Sequence, residues 1–256
     1  MDDGREVRLR LVGEFAVLLG PRRLTGVGVG SRKARTLLAL LAAAGGRLVY
    51  LDAITEALWG ENWPARPADN VATLVSRLRA TLEPDIVLGG RSGYRLGGHV
   101  RVDLWEAGEL IAVAEGALAG DPRRAMRLAG DVARMLSESE VFPDAPDAAW
   151  AEPARAAQAD VLRRALHVTA AAALRRRHLR EARQAAQAAV DRDPYDEIAC
   201  RLLMRAYELS GEPARALAAY ERLRATLADE LGIDPAPATG ALHVAILRGA
   251  TLAADR

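Results

Sequence analysis

The residues best equipped for chemistry in this sequence are cations. Arg77 and Arg79 lie in the stretch DNVATLVSRLRATLEPDIVLGGRSGYRL (69–96), and Arg91, Ser92 and Arg95 lie in its glycine-punctuated tail. A packed core needs the apolar spacing of this stretch, but not guanidinium groups on both sides of a turn. An external polyanion would use them, because a guanidinium fork matches phosphate geometry. Upstream, Ser31, Arg32, Lys33 and Arg35 open a helix, and free N–H groups beside cations suit a phosphate. Capping and a solvated charged face remain the duller reading of each residue.

Other chemistries find no support. The run GVGVGSRKAR (26–35) has neither Gly-Lys-Ser/Thr at Walker spacing nor a dinucleotide fingerprint within a βαβ unit. His99, His167, His178 and His243 are dispersed, without HExxH or a Cys/His cluster, so no metal site is expected. No G-x-S-x-G elbow occurs, and Asp191, Asp193, Asp196 and Glu197 read as helix caps. No enzyme and no cofactor is expected. Cys200 is the single cysteine, which excludes an internal disulfide and fits a small buried residue. The four tryptophans, Trp59, Trp63, Trp105 and Trp150, read as packing anchors.

Charge distribution supports the polyanion. Net charge is +1, but residues 1–100 hold 14 basic against 10 acidic residues and the remainder hold 21 against 24. Between Phe15 and Leu51 lie six basic residues and no acidic one. The first part therefore carries a positive local field. The acidic opening MDDGREVRLRL argues against a signal peptide, and no apolar run is long enough to span a bilayer, so a cytoplasmic chain is expected.

These residues must be held by elements that the patterning suggests. Residues 7–19 begin with strand alternation, Gly20-Pro21 turns, and 24–29 reads as another short strand. Ser31 caps a helix through Ala44, stopped by Gly45-Gly46. Val49–Tyr50 is extended, Asp52 caps a helix over 53–58, and a third helix runs from Ala68 to Leu82. Its apolar stripe is Val71, Leu74, Val75, Leu78 and Leu82. Asn70, Thr73, Ser76 and Arg77 fall on or beside the opposite face, short polar groups with one long cation that could meet base edges. Residues 86–88 and 94–96 then form a hairpin. The expected fold is an α+β winged helix with an N-terminal sheet, three helices and a C-terminal wing over residues 1–98.

After Gly97-Gly98 helix dominates to the end, and residues 99–256 read as an all-α, tetratricopeptide-like domain. Ala182–Ala186 aligns with Ala216–Tyr220 at an offset of 34 residues, the tetratricopeptide period. Ala172 then meets Ala206, and Val168 meets Leu202.

The runs LLALLAAAGGRLVYLDAITEALWGE (37–61), NVATLVSRLRATLE (70–83) and GYRL (93–96) resemble the OmpR-type winged helix of Streptomyces antibiotic regulatory proteins, the SARP family. Residues 191–247, from DRDPYDE through ELGIDP, resemble that family's bacterial transcriptional activator domain (BTAD). Segment 135–150 departs from it, being more acidic than the family's usual leucine-tryptophan-glycine stretch. The resemblance implies a sequence-specific DNA-binding activator of a secondary-metabolite (antibiotic) gene cluster. It also implies binding to direct repeats near promoters, recruitment of RNA polymerase holoenzyme, homodimerisation, and a nucleoid-associated location. By position, the third helix would enter the major groove and 89–94 would be the wing. No ATPase, receiver or phosphopeptide-binding domain is recognisable, which suggests control by abundance. Alternatives are a repressor using the same winged helix, or a protein-interaction scaffold.

Overall fold

The structure is a computed structural model that describes residues 6–249. Residues 1–5 of the acidic opening read as evidence against a signal peptide lie outside these residues. Two compact units form among the described residues, one of 6–109 and 135–161, the other of 110–134 and 162–249. The packing of the first unit thus takes in a segment well beyond the pattern change near residue 98.

In the first unit, β1 (Val7–Arg10), β2 (Ala16–Leu19) and β3 (Arg22–Thr25) form an antiparallel meander. The strand expected over 24–29 is corrected: β3 ends at Thr25, and Gly26–Gly28 is a 3-10 turn. Helix α1 (Arg32–Ala43) begins at Ser31, whose hydroxyl accepts the Ala34 N–H at 3.2 Å, so this cap falls where the sequence puts it. After β4 (Val49–Tyr50) comes α2 (Leu51–Trp59), whose N-cap position is Tyr50; Asp52 lies inside the first turn rather than at the cap. There its charge still suits the positive end of the helix. Helix α3 (Pro67–Thr81) leads to β5 (Val87–Gly90) and β6 (Gly93–Leu96), and β6 pairs with both β5 and β4.

A further strand after the wing, β7 (Val100–Val102), was not legible in the sequence. It pairs in parallel with β1 and gives a sheet of order β3-β2-β1-β7. Three residues are too few to establish an alternation, and Gly97-Gly98 reads as a break. The next residue explains the junction. The Asp103 carboxylate accepts the N–H groups of Leu11 at 3.0 Å, Val12 at 3.1 Å and Leu104 at 2.8 Å. It satisfies donors that β1 leaves unpaired where it ends, and opens α4 (Asp103–Ala117). Burial raises its pKa above the ordinary value, outweighing those three N–H groups and Arg10.

The remaining helices are α5 (Pro122–Ser137), α6 (Glu152–Arg175), α7 (Leu179–Arg192), α8 (Glu197–Leu209), α9 (Pro213–Leu231) and α10 (Pro237–Leu247). Segment 138–151 belongs to the first unit. Its Val141 N–H donates to the buried Gln158 side chain, whose amide donates in turn to the Leu136 and Ser139 carbonyls.

In the second unit the period of 34 has a structural counterpart. Ala182 and Ala216 are both fully buried, as are Ala172 and Ala206, so small side chains let paired helices close on each other. The turns match as well. Arg177 takes φ 59° and Gly211 takes φ 75°, and each is followed by an N–H reaching back five residues, His178 to Ala173 and Glu212 to Tyr207. That is the Schellman way of ending a helix, with glycine in one repeat and arginine in the other.

Of the four carboxylates read as caps, Asp196 is one and Asp193 stands at the C-cap position of α7, whereas Asp191 and Glu197 lie inside α7 and α8. Asp196 accepts the Ala199 N–H at 2.9 Å to cap α8, and its other oxygen lies 2.5 Å from His167 Nε2. Glu197 accepts from the Ala236 N–H and the Thr239 hydroxyl, which fastens the ELGIDP turn to α8. Cys200 is buried, and burial pushes its thiol up to about 11, as expected of an inert core residue. Among the described residues no helix is long and apolar enough to cross a membrane, and no acid, histidine or cysteine group could hold a metal.

Two stability measurements follow. A left-handed backbone at a residue with a Cβ costs about 1–2 kcal/mol, so Arg177→Gly should raise unfolding free energy by up to about 1 kcal/mol after glycine's own entropy cost. Urea titration reads this directly. Burial alone would raise Asp196, but His167, the Ala199 N–H and nearby Arg163 outweigh it and hold the carboxylate below its ordinary value of 3.8. Its contribution is therefore complete above that value and is lost as pH falls through the lower, folded-state value. Asp196→Asn should be less stable near neutrality and lose less stability on acidification from pH about 5 to about 2.

Candidate nucleic-acid interface

Helix α3 is divided lengthwise. Val71, Leu74, Val75 and Leu78 are buried, while Asn70, Thr73, Ser76 and Arg77 are all exposed. Once the apolar stripe is packed, the 3.6-residue period leaves these four side chains facing outward. Thr73 donates its hydroxyl hydrogen to the Asp69 carbonyl at 2.9 Å, so its remaining capacity toward a partner is as an acceptor. Asn70, Ser76 and Arg77 make no side-chain hydrogen bond or ion pair within the described residues.

Arg79, one helical step from the exposed face, has an internal task. Its Nε and Nη2 donate to the Val87 carbonyl at 2.9 and 2.7 Å. Its partner is a backbone carbonyl of β5 and not an acidic side chain. This fork ties α3 to the wing.

The wing turn consists of Arg91 and Ser92 between paired Gly90 and Gly93. Both turn residues and Arg95 are exposed. The glycines are demanded by close approach. A Cβ on Gly89 would lie 2.2 Å from the Gly93 carbonyl oxygen, and one on Gly93 would lie 2.3 Å from that of Val49. The three-stranded sheet thus holds its cationic tip on a base where no side chain fits.

The cations of α1 gather elsewhere in the same unit. Arg32, Lys33 and Arg35 line a cavity of about 530 Å³ with Phe15, Phe142 and Trp150. Ser31, Arg32 and Lys33 are exposed and Arg35 is half-buried. Arg35 donates to the Gly30 carbonyl at 2.7 Å, and the Lys33 ammonium sits 4.4 Å from the Trp59 ring centroid. Phe142, with φ 54°, stands between Phe15 and Trp150, its ring centroid 5.0 Å from that of Trp150. These aromatics carry no periodic signal in the sequence. Trp150 packs as expected of an anchor, whereas Trp63 is 48% exposed.

The family described as "Transcriptional regulatory protein, C terminal" matches residues 29–96, and that described as "Bacterial transcriptional activator domain" matches 102–247. The chain belongs to the SARP family of transcriptional regulators. Regulatory protein AfsR of Streptomyces coelicolor is 34% identical over 241 residues, which cover 90% of this chain and 24% of AfsR. Transcriptional regulatory protein EmbR of Mycobacterium tuberculosis is 33% identical over 255 residues, covering 93% of this chain and 64% of EmbR. Transcriptional regulator RedD of Streptomyces coelicolor is 30% identical over 247 residues, covering 90% and 69%. The SARP-type chain therefore spans about a quarter of AfsR and somewhat under two thirds of EmbR. A solved structure of M. tuberculosis EmbR, in complex with a low affinity phosphopeptide, superposes with TM-score 0.83 at 30% identity over 96% of this chain and 66% of that one.

Arg79→Met should cost about 2 kcal/mol by removing two charge-assisted hydrogen bonds to Val87. Urea denaturation would measure that cost. Arg79→Lys should recover little of it, because an ammonium cannot reproduce the fork.

Proposed function

We propose that this SARP-family chain binds duplex DNA in a sequence-specific manner and activates transcription from promoters carrying short direct repeats. The observation that carries the reading is the exposure of Asn70, Thr73, Ser76 and Arg77 on α3 opposite a fully packed stripe, beside an exposed Arg91-Ser92 turn. Short polar groups with one long cation suit base edges in a major groove. Wing cations suit the sugar-phosphate backbone, where they supply affinity without selecting sequence. The Ser31, Arg32 and Lys33 cluster is a further phosphate contact on this reading, with Arg35 supporting it from its bond to Gly30.

The finer parts of the proposal come from the family. The names of AfsR and RedD mark Streptomyces regulators, and membership supports control of a secondary-metabolite gene cluster. Recruitment of RNA polymerase holoenzyme, dimerisation on the repeats and residence at the cytoplasmic nucleoid belong to the same proposal. The domain division it uses is a DNA-binding region over 1–98 and an activator region beyond it.

Binding to the DNA upstream of neighbouring genes, measured by gel shift at several salt concentrations, tests the proposal. Arg77→Ala should weaken binding by about 1–3 kcal/mol and relax preference at one base-pair position. Arg91→Ala should weaken all sequences evenly and flatten the salt slope by about one unit. No measurable affinity at low salt, or an Arg77→Ala profile identical to wild type, would remove the interface. A promoter-fused reporter separates activation from repression.

A further inference from the structure

The second unit holds a cationic groove that the DNA reading does not use. Helix α5 buries Ala125, Ala129, Val132, Ala133 and Leu136, which leaves Arg123, Arg127 and Arg134 exposed along its other side. These three line a groove of about 480 Å³, opposite Arg176 of the α6–α7 turn and Gln184 of α7. Asp131 and Glu181 are the acids in its wall, and Asp131 is paired with Arg134 at 3.1 Å. Met126 lies in the floor, packed against the buried Ala173, Ala182 and Ala206.

One polar atom in this groove is out of order. Thr169, in the middle of α6, has a buried hydroxyl with no hydrogen-bond partner among the described residues. The usual partner for a helical threonine is the carbonyl four residues earlier. Thr36, Thr55, Thr73 and Thr226 each take it, at 2.8–3.1 Å. Thr169 does not, although its helix offers the same carbonyl. An unpaired buried hydroxyl costs free energy, and here it borders a space ringed by four arginines.

We propose that this groove docks an acidic peptide segment of a partner protein. Length decides between a peptide and a compact anion. Arg123 to Arg134 spans eleven residues, about 16 Å along α5, which is the reach of about five extended residues. Arginine forks take carboxylates bidentately, the Thr169 hydroxyl donates to one lodged at the floor, and Met126 receives an apolar side chain between acids. A compact phosphate would engage one end of the row and leave the rest idle. The pairing is by charge complementarity, which fixes register as well as attraction.

Fluorescence anisotropy on the full chain tests it, with a short fluorescein-labelled peptide of alternating glutamate and leucine and its glutamine counterpart as control. Saturable one-to-one binding of the glutamate peptide alone is expected. Arg123→Ala with Arg127→Ala should weaken it at least about tenfold, and Thr169→Val about threefold. Arg77→Ala with Arg91→Ala, which disables the proposed DNA interface, should leave peptide affinity unchanged, so the two readings fail separately. Equal binding of both peptides, or displacement by pyrophosphate with no loss in the double arginine variant, would overturn the proposal. So would a Thr169→Val protein that melts higher while binding as tightly as wild type, since the hydroxyl would then be only a packing fault.

Discussion

Two nitrogens of one guanidinium meet a single carbonyl where Arg79 of α3 reaches Val87 of β5. The proposed DNA interface would depend on this fork more than on any exposed residue. An exposed helix face and an exposed hairpin tip are useful together only if their spacing is fixed, and a surface salt bridge could not fix it. Exposed ion pairs contribute little and are screened by salt. A half-buried guanidinium donating to a backbone carbonyl is screened far less, and it cannot be released by protonating an acid. The apolar stripe of Val71, Leu74, Val75 and Leu78 sets which way α3 faces; Arg79 sets where the wing stands beside it.

The same division of labour explains what could be seen in the sequence. The stripe of α3, the Ser31 cap and the glycine-flanked turn are local, and local chemistry writes them in short runs of residues. The face carrying Asn70, Thr73, Ser76 and Arg77 was legible because helical periodicity makes the outside of a helix the complement of its inside. The role of Arg79 was not legible, since its partner lies eight residues away on another element and is a backbone atom without a residue signature. Asp103 is the extreme case. It serves N–H groups more than ninety residues upstream, and nothing in VRVDLWE distinguishes it from an ordinary helix cap. The strand β7 that it follows was hidden for the same reason, because its partner β1 is equally remote.

The second unit was legible through its period rather than through any single residue. Alanines recur where helices must close together, and the turn after each first helix repeats the same backbone path. That path is what the sequence understates. Glycine marks it at 211, whereas arginine at 177 carries the same left-handed conformation against its own preference. Packing on both sides over-determines the turn, and the local propensity yields.

The cations also divide by environment, which limits what each can do. Lys33 is drawn over the Trp59 ring and Arg35 is tied to the Gly30 carbonyl, so part of their reach is already committed inside the first unit. Arg77, Arg91 and Arg95 have no such ties among the described residues. A side chain held by its own protein gives up less freedom on meeting a phosphate but also reaches less far. On the proposed reading, the α1 cluster would hold the backbone at a fixed place while the α3 and wing arginines adapt to what they meet. The short side chains beside Arg77 sharpen this point. Asn70, Thr73 and Ser76 cannot extend, so the helix itself must come close to the bases. Close approach is then the demand that the bare glycine base of the wing, unable to carry a Cβ at 89 or 93, also satisfies on its side.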